Sequence, residues 1–269
     1  MRVGWLEDQN QGRFGGAELH SRALQAAVPA DAEILPCPPA GGWAEDIDVF
    51  VVMRAWDYEM KAARLLEARA KPILVRLVDF WQESRDKTWR SWILSHGTRL
   101  VFHGPLHRDK FGHPWKCDDV VLLPSPVDRA AFEQAGLESQ QREGLCWAGR
   151  IEKAKGVTRA MRWAAEQRRL VTFYGTGNLR PTPHAYAQFA GYVPYDQMPR
   201  ALASHEGFVF MPDVPEAFGR AVVEASFAGC NLHLGGAPIG STYWLERDPD
   251  AIASAASRFW EQVREVAGC

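Results

Sequence analysis

Two short segments place charge where a parallel strand should end. Gly149-Arg150-Ile151-Glu152-Lys153-Ala154-Lys155-Gly156 follows the apolar run Leu145–Ala148 and precedes a helical pattern. Glycine lets backbone approach a ligand closely, and a helix N-terminus favours an anion. Arg150 and Lys155 put two cations at that edge, one a bidentate fork and the other a point charge. Phosphate oxygens suit such a set, although a solvated basic loop reads the same way. Pro215-Glu216-Ala217-Phe218-Gly219-Arg220-Ala221-Val222-Val223-Glu224-Ala225 follows the run Gly207–Met211. Glu216 falls in the loop above the strand end, Gly219 at the helix start and Glu224 about two turns further on. The amides near Phe218–Arg220 are those a helix leaves unsatisfied at its beginning. Amides for a diphosphate and carboxylates for sugar and ribose hydroxyls describe a sugar-diphosphate site; a surface charge at Glu224 and a cap at Glu216 describe the same spacing equally. A third segment, Gly15-Gly16-Ala17-Glu18, opens a helix near the N-terminus. It lacks GxGxxG, which disfavours an NAD-dependent oxidoreductase and leaves a glycine turn needed only for packing as the other reading.

The elements that must position these residues alternate along the chain. Strands are expected at Val3–Leu6, Glu33–Pro36, Val49–Met53, Ile73–Arg76, Leu100–Phe102 and Val120–Leu123, with helices at Ala17–Ala27, Tyr58–Ala70 and Arg85–Ser95. Pro124-Ser125-Pro126 and the polar stretch Glu138–Gly144 interrupt the series. It resumes with strands Leu145–Ala148, Leu170–Tyr174, Gly207–Met211 and Asn231–Leu234, and with helices Val157–Arg168, Asp196–Ser204, Gly219–Ala228 and Ala251–Val266. Such alternation predicts an α/β protein with parallel sheets flanked by helices. Two Rossmann-like halves are expected, 1–128 and 129–269, with the last helix allowed to pack back on the first half. Ligands of open parallel sheets sit beyond the carboxyl ends of the strands, so a cleft between two such halves is where chemistry is expected.

Composition excludes several classes. The N-terminus runs into Glu7 and Asp8 without a signal-peptide apolar stretch, and no segment is apolar enough to span a bilayer. Cys37, Cys117, Cys146, Cys230 and Cys269 form no CxxC pair, so neither a metal cluster nor a disulfide framework is expected and a reducing cytoplasm fits.

Taken in order, Gly15-Gly16-Ala17-Glu18, Ser125-Pro126-Val127-Asp128 with Phe132, Gly149-Arg150 with Lys155-Gly156, Gly175-Thr176-Gly177, Gly191-Tyr192-Val193 and Glu216-Ala217-Phe218-Gly219 with Glu224-Ala225 and Gly229 resemble the family-4 retaining glycosyltransferases of the GT-B fold. The resemblance covers most of the chain and is strongest from about 124 to 240. It implies two Rossmann-like domains facing across a cleft and transfer of a sugar from a nucleotide-sugar, UDP-sugar first, to an acceptor hydroxyl. It implies that Arg150 and Lys155 hold the donor diphosphate, that Glu216 contacts the transferred sugar and Glu224 the ribose, and that Gly15 and Gly16 let a loop close over the phosphates. Gly149, Gly175, Gly177, Tyr192, Phe218, Gly219 and Arg220 complete the implied donor site. No metal and no cofactor are implied, the basic pair neutralising the leaving group instead. Family members are usually longer, and many carry a histidine where this chain reads Val75-Arg76-Leu77-Val78-Asp79-Phe80-Trp81. Asp79 stands in that place, or caps the following helix. A GT-B protein that binds nucleotide-sugar without transfer, and an epimerase or hydrolase of UDP-sugars, are the alternatives.

The acceptor side is read from residues 84–116. Arg85, Lys87, Arg90, Arg99, Arg108, Lys110 and Lys116 stand there against Asp86 and Asp109, interleaved with Trp89, Trp92, Trp115, His96, His103, His107 and His113. Arg85, Lys87, Trp89, Arg90, Trp92 and His103 are the candidates for an anionic acceptor, a nucleic acid base or a lipid-linked glycan at a membrane surface. A solvated basic face with structural tryptophans is the other reading. No obligate protein partner is implied.

Overall fold

Short runs of β-branched and aromatic residues become parallel strands because both of their faces are covered. The computed structural model describes residues 1–7, 15–53, 58–80, 87–111 and 115–269. The described residues divide into one unit of Met1–Pro126 with Glu246–Cys269 and a second of Val127–Leu245.

The first unit contains β1 (Arg2–Leu6), α1 (Gly16–Ala26), β2 (Glu33–Pro36), β3 (Val49–Val52), α2 (Met60–Arg69), β4 (Ile73–Arg76), α3 (Lys87–His96), β5 (Arg99–Phe102), α4 (Pro105–Asp109) and β6 (Val120–Leu122). Its sheet runs β2-β1-β3-β4-β5-β6, every pair parallel. The fully buried β3, Val-Phe-Val-Val, shows why. Successive side chains point to opposite faces, so Phe50 and Val52 join a core with Ala62, Leu66, Trp89 and Ile93 from α2 and α3. Val49 and Val51 join a core with Leu24 of α1 and with Phe259, Trp260 and Val263 of the last helix.

The second unit contains α5 (Arg129–Glu138), β7 (Leu145–Ala148), α6 (Val157–Gln167), β8 (Val171–Tyr174), β9 (Ala187–Gly191), α7 (Met198–Ala203), β10 (Gly207–Phe210), α8 (Arg220–Phe227) and β11 (Asn231–Leu234). Its sheet runs β11-β10-β7-β8-β9, again parallel throughout. Then α9 (Thr242–Arg247), α10 (Pro249–Ala253) and α11 (Ala255–Ala267) close the chain. On α11, Trp260 donates its indole N–H to the Leu24 carbonyl at 2.8 Å, stacks on Trp5, and lies in the core of the first unit. No helix of the described residues is long and apolar enough to cross a membrane.

A buried polar cluster crosses the carboxyl ends of β4 and β5. The Arg76 guanidinium donates to His20 Nε2 at 3.1 Å, to His103 Nδ1 at 2.8 Å, and to the carbonyls of Leu123 and Pro124 at 2.8 and 3.0 Å. These acceptors are all uncharged, and burial lowers the Arg76 pKa to about 9, still a cation at neutral pH. Burial, followed by the charge of Arg76, holds His103 well below the ordinary imidazole range. Burial also takes His107 down to about 3, against a hydrogen bond to Asp79 that favours the charged form.

Two outcomes follow from this packing. Trp260→Ala removes a large side chain from the first core and is expected to cost about 3–5 kcal/mol in urea unfolding; a loss under about 1 kcal/mol would contradict α11 as part of that core. His103 and His107 have depressed pKa values in the folded chain, so their contribution is complete above about pH 6.5 and falls away as pH drops below it. Urea titrations below that pH should therefore show a slope that His107→Gln reduces by about 1.4 kcal/mol per pH unit, and an unchanged slope would contradict a neutral buried His107.

Candidate functional site

The strand order of the second unit creates one topological switch. From β7 the chain moves to β8 and β9 on one side and then returns to β10 on the other, so β7 and β10 are neighbours whose connections leave in opposite directions. Ligands of such sheets bind outside the carboxyl ends of the two strands at that point. The loop after β7 carries Gly149–Gly156, and the loop after β10 carries Met211–Gly219.

These loops are packed together by backbone. Asp213 donates its amide to the Ala154 carbonyl at 3.0 Å, and Arg159 pairs with Asp213 at 2.9 Å. Gly156 has φ +70°, and a Cβ there would lie 1.7 Å from the Met211 carbonyl oxygen. Only glycine permits both the conformation and the approach. Lys155, the preceding residue, is thereby brought to the other loop, where its Nζ donates to both carboxylate oxygens of Glu216 at 2.8 Å. The Glu216 backbone is fixed in turn: its amide donates to Pro238 and its carbonyl accepts from Gly240, each at 3.0 Å. The two side chains are 25% and 12% exposed, so the pair is screened yet reachable. An ammonium has three protons and each carboxylate oxygen two lone pairs, so the pair retains one donor and further acceptors for a ligand. Arg150 stands at the exit of the same β7, 65% exposed, with Glu152 at 3.4 Å as a loose partner.

The remaining donor-side candidates divide. A Cβ on Gly175 would lie 1.8 Å from the Gly149 carbonyl oxygen, and one on Gly177 2.2 Å from that of Ile151. What these glycines admit is therefore the neighbouring loop's own backbone, which is the packing role of a glycine. Gly149 has φ +152° and borders the Trp147 ring. Tyr192 is 60% exposed beyond β9, whereas Phe218 is buried. Gly219, at φ +83°, begins α8 without a side-chain cap.

Glu224 and Arg220 form a separate constellation with Tyr195, which the sequence reading did not single out. Arg220 Nε donates to Glu224 Oε1 at 2.7 Å, Tyr195 Oη donates to the same oxygen at 3.0 Å, and an Arg220 amino group donates to Tyr195 Oη at 2.7 Å. All of this is enclosed, and burial raises the Glu224 pKa against the pull of Arg220. Glu224 is thus an internal acceptor that joins α8 to the turn after β9, eight residues beyond Glu216 in sequence and with no hydrogen bond to the Lys155–Glu216 pair among those of the described residues. Arg220 and Glu224 at i, i+4 were a visible helical ion pair; Tyr195 gave no sequence signal.

In the first unit Glu18 accepts the Gly15 amide at 2.8 Å, and Gly16 has open space where a Cβ would be. The stretch 8–14 before them lies outside the described residues. Asp79 is half-buried, and its carbonyl is 2.8 Å from His107 Nε2. Its suggested capping role concerns residues 81–86, which also lie outside. Of the acceptor-side candidates, Trp89, Arg90 and His103 are buried, so they offer no surface on which a base or headgroup could stack. Trp92 is partly exposed and bonded to Glu67, while Arg85, His113 and the Lys87 side chain are outside the described residues. Arg99 is neutralised by Asp119 and Glu265, and Arg108 by Asp109. The basic excess of 84–116 is therefore partly spent inside the first unit. His20 and Ser125, 2.6 Å apart, do not make a nucleophile and base: Arg76 donates to His20 Nε2, which leaves its Nδ1 proton to be donated to Ser125. Among the described residues no group of three His, Cys, Asp or Glu side chains is placed to hold a metal ion.

No family model matches the sequence, and no curated protein matches it either. Solved structures do match in shape. Anabaena HepE in complex with UDP and glucose superposes at a TM-score of 0.65 with 14% identity, covering 100% of this chain and 96% of its own. A glycosyltransferase from Rickettsia africae gives 0.63 with 11% identity over 99% and 93% of the two chains. AviGT4, a glycosyltransferase involved in avilamycin A biosynthesis, gives 0.60 with 14% identity over 100% and 98%. At these identities the likeness is one of architecture, and the fold of this chain is that of the GT-B glycosyltransferases.

Proposed function

We propose that the chain is a glycosyltransferase that moves a sugar from a nucleotide-sugar, UDP-sugar first, to an acceptor hydroxyl. The observation that carries this reading is the Lys155–Glu216 pair at the switch point of the second sheet, with Arg150 beside it. Its support is the likeness to proteins solved with UDP, glucose and UDP-glucose.

In this reading the diphosphate lies against Arg150 and the third proton of Lys155, and the free lone pairs of Glu216 accept hydroxyls of the sugar. The bond from the anomeric carbon to the phosphate oxygen breaks while that to the acceptor oxygen forms. The acceptor's proton passes to the departing phosphate. Charge grows on the leaving diphosphate as this happens, and fixed cations in a screened site stabilise it where it develops. The neutralising part is given to Arg150 and Lys155, and the outcome to retention, as in the family-4 enzymes the sequence resembles. Glu224 is assigned to holding α8 and Tyr195 together, a part its buried bonds fit better than a contact with ribose.

Differential scanning with UDP tests the binding half. At about 100 times its dissociation constant UDP should add roughly 2.7 kcal/mol, a rise of several degrees in Tm. Lys155→Ala should lose that rise and reduce turnover by about 10²–10³-fold, and a variant that keeps the wild-type rise would remove Lys155 from the site. Glu216→Gln should retain the UDP-induced rise and lose turnover of the UDP-sugar. Wild-type kcat in Glu216→Gln would contradict its place at the sugar.

A further inference from the structure

Between Glu216 and the start of α8 the backbone passes through Gly219, at φ +83°. Glycine has more backbone freedom than any other residue, and α8 has no side-chain cap to fix it there. The constraint comes from the segment after β11, in the same unit. The Ala237 amide donates to the Pro212 carbonyl at 2.8 Å, and Glu216 and Ile239 form a parallel bridge. Beyond that bridge the Ser241 amide donates to the Phe218 carbonyl at 2.6 Å, and the Ser241 hydroxyl to the Gly219 carbonyl at 3.3 Å. The Ser241 carbonyl accepts the amides of Trp244 and Leu245 at 3.1 and 3.0 Å, which ties the same residue into the start of α9. A Cβ on Gly240 would lie 2.2 Å from the Ala217 carbonyl oxygen, so the two backbones are in direct contact. Ser241 is fully buried. A buried hydroxyl is costly unless it is bonded, and here its bond goes to the residue of the loop with the freest backbone. Glu216 is thus held from two sides: Lys155 grips its carboxylate, and residues 238–241 hold the backbone that carries it.

We propose that Ser241 is a positioning residue for Glu216. It acts through the carbonyls of Phe218 and Gly219, which set where the Glu216 carboxylate stands against Lys155. The inference rests on the sugar-transfer reading above.

The test compares Ser241→Ala, Glu216→Gln and the double variant. Ser241→Ala removes the hydroxyl but leaves the Gly219 carbonyl its bond from the Val222 amide at 3.1 Å, so the chain should fold. Hydrogen–deuterium exchange is followed on peptides covering residues 216–222, and steady-state kinetics on a UDP-sugar. In Ser241→Ala exchange there should accelerate while that of β7 and β10 stays slow. Its kcat should fall by about 10–100-fold, the cost of a misplaced reacting group, with the UDP-induced rise in Tm kept. In the Glu216→Gln background the same substitution should cost little further turnover, because a residue that acts through Glu216 has nothing left to position. Unchanged exchange at 216–222 in Ser241→Ala would overturn the proposal, and so would a wild-type kcat. Losses that multiply in the double variant would also overturn it, since a merely structural serine weakens both backgrounds alike. The wild-type chain is the control. With its UDP-induced rise in Tm present, any of these failures belongs to Ser241 alone; with neither that rise nor turnover of a UDP-sugar, the sugar-transfer reading fails and this role falls with it.

Discussion

The second unit depends on two strands being neighbours in space while their loops lie 61 residues apart in sequence. Parallel pairing of β7 with β10 aligns their carboxyl ends, and the two loops that leave there must share one small volume. Gly156 against Met211 sets how closely they approach, and Lys155 and Glu216 are what that approach brings together. The net contribution of such a half-buried pair to stability is small, since desolvation offsets most of the attraction. Its consequence is geometric: a cation and a carboxylate held at fixed distance, each with hydrogen-bonding capacity left over, at the place where a parallel sheet binds ligands.

The first unit solves a similar problem with different chemistry. Its strand exits are tied by Arg76 and three histidines, and the acceptors of Arg76 are uncharged. Carbonyls and neutral imidazoles can satisfy a guanidinium without adding a second buried charge, provided each is aimed at it. The cost is that several side chains must be in place together, which makes this region sensitive to protonation while the apolar layers around it are not.

Much of the fold was legible because buried parallel strands leave a strong mark. Runs such as Val49–Met53, Ile73–Arg76 and Leu145–Ala148 are short and largely apolar, and they become strands close to the expected limits. The strand Ala187–Gly191 was not expected, because Ala-Gln-Phe-Ala-Gly has little β-propensity and lies at a sheet edge, where one neighbour suffices. The helix read as Ala251–Val266 is two, Pro249–Ala253 and Ala255–Ala267, since periodicity does not register a break at a single residue. At the site, the loop glycines and the charges around them were visible, but their partners were not. Nothing in the spacing said that Gly175 and Gly177 admit backbone, that Glu224 belongs to Tyr195, or that Trp89 and Arg90 are buried. Those are properties of tertiary packing, which decides whether a given side chain meets water, a ligand or the protein itself.

A crystal structure of the chain with a UDP-sugar bound tests the role of the Lys155–Glu216 pair most directly. Diphosphate oxygens are expected within about 3 Å of Lys155 Nζ and of the Arg150 guanidinium, with a sugar hydroxyl at the same distance from the Glu216 carboxylate. A nucleotide bound away from the exits of β7 and β10, with the Lys155–Glu216 pair undisturbed, would contradict it.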